Sequence, residues 1–220
     1  MPPRLMTRYA PPDAPLRVLH RDEEVMVVVK PSGLLSVPGK PEAHRDCLLD
    51  RVVALAPEAL LIHRLDLETS GVMVFACNRR AQRLLNGQFE RRIVEKAYIA
   101  RVAGRMEAAR GEIDLPLIAD WPNRPLQKVC RETGKPAHTA WETLAEETEA
   151  TRLRLHPRTG RSHQLRVHLS AIGHPILGDP FYADDSIWQR ADRLQLHAES
   201  LRFRHPSDGA WTGFSDPAPF

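Results

Sequence analysis

Asp66 is the side chain whose neighbours most suggest chemistry. It lies in Ile62-His63-Arg64-Leu65-Asp66-Leu67-Glu68-Thr69-Ser70-Gly71, delivered by the apolar run Ala59-Leu60-Leu61-Ile62 and carried away by Gly71-Val72-Met73-Val74-Phe75-Ala76. With a leucine on either side, its carboxylate is expected in a largely apolar setting. A charge there is costly unless a cation or hydrogen bonds hold it, and carboxylates so placed are frequent in catalytic sites. The plainer reading is a structural ion pair of Arg64 with Asp66 or Glu68, and an isolated Arg-Leu-Asp favours it.

A second constellation lies between Thr151 and Gly178. It holds Arg152, Arg154, Arg158, Arg161 and Arg166 with His156, His163, His168 and His174, and it contains no Asp or Glu. Arginine offers planar, multi-donor contacts to phosphate oxygens, so the segment is a candidate phosphate-binding surface. A solvated basic face explains the same residues. Arg158-Thr159-Gly160-Arg161-Ser162 leans toward phosphate, because a turn entering a helix N-terminus presents free N–H groups to an anion. The Gly-x-x-x-x-Gly-Lys-Ser/Thr and HExxH patterns are missing. His163 and His168 are five apart, a poor spacing for one metal on one helical face, and His168 falls on an apolar side, where a satisfied core histidine is expected. Cys47, Cys77 and Cys130 are isolated and odd in number, which suggests free thiols and no metal site.

The 220 residues suit one large domain or two small ones. An apolar fraction of 42% and a charged fraction of 27% are those of an ordinary globular chain with a substantial core. The net charge of +3 permits a nucleic-acid partner without demanding one. There is no signal core at Met1-Pro2-Pro3-Arg4-Leu5 and no apolar run of membrane-spanning length. A cytoplasmic location follows by elimination.

The elements that must position these residues can be read in turn. Residues 1–16 are Pro-rich and form an arm. Val18-Leu19-His20 and Val25 to Val29 read as a strand pair around Asp22-Glu23-Glu24. Lys30 to Gly39 is a loop. Asp46 is expected to cap a helix through Leu48, Val52 and Leu55, ending before Pro57, and Asn78 to cap one with Leu84, Leu85 and Phe89 inward, which Gly87 weakens. Val94 to Val102 reads as a strand and Glu112 to Leu117 as a short extended piece. His138 to Leu144 and Thr151 to Leu155 read as hairpin partners. Ser162 is expected to cap a helix with Leu165, Leu169 and Ile172 inward, stopped by Gly173. A helix near Asp185 to Arg193 and a strand over Leu196 to Phe203 complete the chain. Mixed elements without regular βαβ alternation favour an α+β fold with a mixed, largely antiparallel sheet and flanking helices and loops.

Four blocks, in this order, resemble the RluA family of RNA pseudouridine synthases. They are Lys30-Pro31-Ser32-Gly33-Leu34 with Val37-Pro38-Gly39; His63-Arg64-Leu65-Asp66 with Thr69-Ser70-Gly71; Glu95-Lys96-Ala97-Tyr98; and Gly160 to His168 with Gly173-His174-Pro175-Ile176-Leu177-Gly178-Asp179. Together they cover residues from about 17 to 205. Asp114-Leu115-Pro116-Leu117, Asp120 to Pro125 and Gln127-Lys128-Val129 look like the family's short, dual-specificity subgroup. The resemblance implies a catalytic domain over 17–220 with an active-site cleft across its sheet. It also implies no separate N-terminal RNA-binding domain.

What it implies chemically is a uridine isomerisation. The bond from ribose C1′ to uracil N1 breaks, the trapped base turns, and C1′ rejoins at C5. No cofactor or metal is implied. By resemblance the essential carboxylate is Asp66, acting at C1′, at the uracil ring or as a base. Arg166 is the cation expected to keep it ionised. Tyr98 is expected to stack on the uracil and is a candidate for the C5 proton transfer, although periodicity alone makes it a core tyrosine. Arg64 is expected to fill the space left by the flipped base. His63, Lys96 and Arg161 are expected RNA contacts, and Ile176 and Leu177 expected walls of the base pocket. The implied partners are a 23S rRNA hairpin and a tRNA anticodon stem-loop, read by shape and splayed bases. The chain is expected to act as a monomer with no obligatory protein partner and no membrane. The same residues leave two rivals: an RNA-binding protein without catalysis, and a glycosidic-bond hydrolase using Asp66 and Glu68.

Overall fold

The acidic turn Asp22-Glu23-Glu24 closes a hairpin because Asp22 folds back on it. Asp22 Oδ1 accepts from the backbone N–H of Glu24 at 2.8 Å and of Val25 at 2.7 Å. A computed structural model describes residues 9–220; the first eight residues of the Pro-rich arm lie outside it. The elements in chain order begin with strands β1 (Arg17–Arg21) and β2 (Val25–Lys30), helix α1 (Leu48–Leu55), strands β3 (Leu60–Leu61) and β4 (Ser70–Ala76), and helix α2 (Arg79–Glu90). There follow β5 (Glu95–Ala103), β6 (Arg110–Asp114), β7 (Leu117–Ala119), β8 (Gln127–Val129), β9 (His138–Glu147) and β10 (Ala150–Pro157). Helices α3 (Gln164–Ala171) and α4 (Asp185–Trp188) and strands β11 (Leu196–Arg204) and β12 (Trp211–Ser215) complete it. The α+β expectation, with mixed and mostly antiparallel sheet, is what forms.

The chain divides into two compact units. Among the described residues, a terminal unit holds 9–96 together with 197–219, and a central unit holds 97–196 with Phe220. In the terminal unit β1 pairs β2 and β2 pairs β4, both antiparallel, and β4 runs parallel to β11, which pairs β12. Every residue of β4 is buried. Val72, Val74, Val25, Val27 and Phe203 form a core with Ala81 and Leu85 of α2. Gly71 is required where β4 meets β11: its φ is +122°, and a Cβ there would lie 2.3 Å from the carbonyl oxygen of Ala198. In the central unit β5, β10, β9 and β6 pair antiparallel in that order. Their core, with Val102, Leu153, Leu155 and Trp141, is covered by Leu165 and Leu169 of α3.

Several local expectations are corrected. The N-cap of α1 is Cys47, whose sulfur accepts from the Asp50 N–H; Asp46 instead forks onto Arg51 at 2.6 and 2.8 Å. Asn78 does cap α2, accepting from Ala81 N–H at 2.8 Å, and Leu85 is inward, but Leu84 is exposed. Neighbouring helical positions are about 100° apart, so the two leucines cannot share a narrow apolar stripe. Ser162 does not cap α3: the cap is His163 in the left-handed region, φ 53°, whose side chain makes no capping bond to the helix and meets the Tyr182 hydroxyl at 2.7 Å instead. Gly173, φ +85°, ends that helix as expected, but Ile172 at its C-cap stays partly exposed. The extended piece after Glu112 is split between β6 and β7, and the helix expected to reach Arg193 stops at Trp188.

Candidate active site

The Asp66 loop joins β3 to β4, and the first sequence block is what holds it. Lys30, at the end of β2, is fully buried. Its ammonium donates to the carbonyls of Leu34 at 2.6 Å and of Pro31 and Leu67 at 2.9 Å. Three charge-assisted bonds satisfy a cation that could not otherwise leave water. Gly33, φ +78°, donates its N–H to the same Leu67 carbonyl at 3.0 Å. Ser32 Oγ donates to the Glu68 carbonyl at 2.7 Å. Ser36 grips Leu65 twice, donating to its carbonyl at 2.7 Å and accepting from its N–H at 3.1 Å. Leu65 is buried and Asp66 partly buried between these fixed points. Arg64 is exposed.

His63 is tied to the sheet and to α2. Its Nε2 accepts from the Val74 N–H at 3.2 Å, and its ring stacks on Phe89 of α2 at 4.8 Å. Burial, helped by the Lys96 charge, pushes its pKa down to about 3. A neutral imidazole tied to β4 brings no positive charge to phosphate; it fastens the loop to the sheet. Lys96 is itself partly buried, and burial lowers its pKa. At the far end of the loop Ser70 Oγ meets His197 Nδ1 at 2.8 Å, and His197 Nε2 donates to the Asp216 carbonyl at 3.0 Å.

In the central unit Arg166 stands on α3 with 2% exposure. Asp179, wholly buried, takes its fork: Nε to Oδ2 at 2.8 Å and Nη2 to Oδ1 at 2.7 Å. Asp179 Oδ1 also accepts from the N–H groups of Phe181 at 2.8 Å and Tyr182 at 3.2 Å. The rings of those two residues lie 4.9 and 5.2 Å from the guanidinium carbon. Asp179 stands in the fourth sequence block without a stated role there, and the fold makes it the buried partner of Arg166. Its signal was an acid after glycine, closing the apolar pair Ile176-Leu177. Gly178, φ +72°, makes the turn, since a Cβ there would collide with the Arg193 carbonyl.

Gln164 secures the start of α3. Its Oε1 accepts from Thr159 Oγ1 at 2.7 Å and from the Arg161 N–H at 3.0 Å, and its Nε2 donates to the His138 carbonyl and Thr139 Oγ1, each at 3.0 Å. One N–H of the turn expected to face an anion, that of Arg161, is therefore occupied. Arg161 itself is exposed, its Nε donating to the Pro136 carbonyl at 3.2 Å. His168 is a satisfied core histidine. It donates to the Leu115 carbonyl from Nε2 and accepts from Thr139 at Nδ1, and burial lowers its pKa.

Tyr98 faces Leu155 across β5 and β10 and packs, partly buried, against the cluster that contains Leu165 and Ile176. Ile176 and Leu177, with 0% and 2% exposure, are core residues whose stretch bonds to β5. The basic segment is also revised. Arg154 pairs with Glu142 and Arg158 with Glu112, at 3.3 and 3.4 Å. Arg152 is bound to the Phe220 carbonyl. The five arginines do not make one open phosphate surface, because adjacent strands supply acids that the segment itself lacks.

The terminal unit thus holds a loop-borne carboxylate braced through its backbone, and the central unit a buried guanidinium braced through its fork. The family model for RNA pseudouridylate synthase matches residues 24–171. The chain belongs to the RNA pseudouridine synthases, isomerases that convert uridine to pseudouridine in RNA. It is 54% identical over 217 residues to the dual-specificity RNA pseudouridine synthase RluA of Salmonella typhi, covering 98% of this chain and 99% of that one. The protein of the same description from Escherichia coli K12 is 52% identical over the same shares. Among solved structures, human RNA pseudouridylate synthase domain containing 1 superposes with a TM-score of 0.77 at 30% identity, covering 93% of this chain and 84% of that one. No helix among the described residues is long and apolar enough to cross a membrane.

Proposed function

We propose that the chain is a dual-specificity enzyme that isomerises one uridine in a 23S rRNA hairpin and one in a tRNA anticodon stem-loop. In this reading Asp66 is the carboxylate that acts on the flipped nucleoside and Arg166 the cation that keeps it ionised. Tyr98 stacks on the uracil and serves the C5 proton transfer, and Arg64 occupies the vacated base position. The observation that carries it is the extent to which the fold is spent on these side chains. Lys30, Ser32 and Ser36 all bond to the backbone on either side of Asp66, and Asp179 fixes the plane of Arg166. Preorganisation of this kind is what a reaction with no imported group requires. The pairing of roles predicts that Arg166→Lys, a point charge in place of a fork, loses most turnover.

The test uses the purified chain with both transcripts, uracil tritiated at C5. Tritium release from both RNAs, mapping to one uridine in each, supports dual specificity. Release from one alone refutes it. Free uracil among the products would instead identify a hydrolase.

A further inference from the structure

Helix α2 is charged against its own dipole. Its first turn carries Arg79 and Arg80 and no acid, although a helix N-terminus favours negative charge. From Arg79 to Arg92 there are five arginines and one glutamate, Glu90. Arg80, Arg83, Gly87 and Arg91 recur at intervals of three and four and share one face. That face lines a groove of about 450 Å³, whose other wall is the turn Arg204 to Gly209 that follows β11. Gln88 joins the two walls, donating to the Arg204 carbonyl at 2.8 Å and accepting from its N–H at 2.7 Å.

So many cations would ordinarily be matched by acids. Arg80 meets Glu24 at 3.1 Å, and Arg204 lies over the Trp211 ring at 4.4 Å. The side chains of Arg83 and Arg91 have no hydrogen bond, ion pair or ring contact among the described residues. The carboxylates nearby are engaged. Asp22 is held by its two N–H donors, by His20 at 2.8 Å and by His205 at 3.0 Å, and Glu24 is held by Arg80 and Asn78. Midway along the groove Gly87 leaves open space, since a Cβ there would meet nothing within 4 Å. An interior helical glycine costs about 1 kcal/mol against alanine, and no packing here asks for it. Dipole, like-charge repulsion and glycine all cost stability on the same face. Such local losses concentrate where a partner supplies the missing interaction.

We propose that this groove binds the phosphodiester backbone of the substrate RNA, on the outer face of the helix whose inner face sets Phe89 against His63. The partner is committed by chemistry. Guanidinium groups suit phosphate oxygens, the chain acts on RNA, and exposed Leu84 and Ile93 beside the arginines give sugar edges an apolar bed. The proposal rests on the family activity but not on the role of Asp66.

The experiment compares the full chain with R83Q/R91Q and with G87Q, which fills the groove and removes no charge. Binding of an anticodon stem-loop transcript is followed by anisotropy from 50 to 200 mM salt. Pseudouridine formation and melting temperature are read on the same proteins. The double variant is expected to bind about 10-fold more weakly at 50 mM salt, with the slope of log Kd against log salt reduced by roughly 1.5–2. Its kcat at saturating RNA and its melting temperature should not fall. G87Q should weaken binding and lower the slope as well, because phosphates kept out of the groove release no counterions. Affinity and slope equal to the parent's in R83Q/R91Q overturn the groove, as does weaker binding with an unchanged slope. The parent's own pseudouridine yield tests the activity reading separately, while the binding curves decide the groove.

Discussion

The loop that carries Asp66 is braced by groups that reach its backbone, whereas the helix that carries Arg166 is braced by a buried ion pair. Lys30 donates to three backbone carbonyls, so the first support fixes where the carboxylate stands by way of the main chain. Asp179 holds the Nε–Nη2 edge of a guanidinium that is 2% exposed, so the second support sets position and charge balance together. Disturbing the first should therefore act on geometry. Disturbing the second should act on geometry and electrostatics at once.

The largest effect is expected from Asp179→Ala, which removes the carboxylate that forks onto the buried Arg166 guanidinium. Breaking such a pair costs about 3–5 kcal/mol, to be read by urea denaturation; a cost below 1 kcal/mol would erase the distinction between the two supports. Lys30→Met comes next, at about 2–4 kcal/mol, because three carbonyls, that of Leu34 buried and those of Pro31 and Leu67 partly buried, lose a charged donor. Its turnover should fall through misplacement of Asp66 rather than through loss of RNA affinity.

Acid sharpens the comparison on the side of the Asp66 loop. His63 is neutral in the fold with a pKa near 3, below its unfolded value, so the unfolded chain binds the extra proton first. Stability should be full above about pH 6.5 and fall progressively toward pH 3. Below about pH 4 Asp22 adds to the loss. Burial raises its carboxyl, but hydrogen bonds from His20, Val25 and Glu24 outweigh that and bring it to about 2. His63→Gln, which can still accept from Val74, should flatten the upper part of the curve in denaturation measured from pH 7 to 4. Ser36→Ala should cost about 1 kcal/mol and lower kcat more than it raises KM. The smallest effect lies outside both supports: Gly87→Ala should raise stability by about 0.5–1 kcal/mol, read as a higher melting temperature.

What could be read in the sequence follows a physical divide. Asn78 as a cap, Gly173 as a stop and the hairpins around Asp22 and Glu147 are set by residues a few positions apart, and they form as read. The Arg152 to Arg166 segment misleads because its acids arrive from Glu112 and Glu142 on other strands. The arginines of α2 escaped notice because acidic neighbours elsewhere diluted the net charge. Ser162 looked like a cap, but Gln164 takes over the satisfaction of that turn. Lys30 and Asp179 stood inside the motif blocks, yet only the fold shows that their work is to hold Asp66 and Arg166.

The central claim is best tested on Asp66→Asn, which keeps size and removes the ionised carboxylate. With purified transcript, the account predicts binding within about twofold of the parent, which is under 0.5 kcal/mol, and no detectable pseudouridine. Pseudouridine formed by the variant at a rate near the parent's would contradict it.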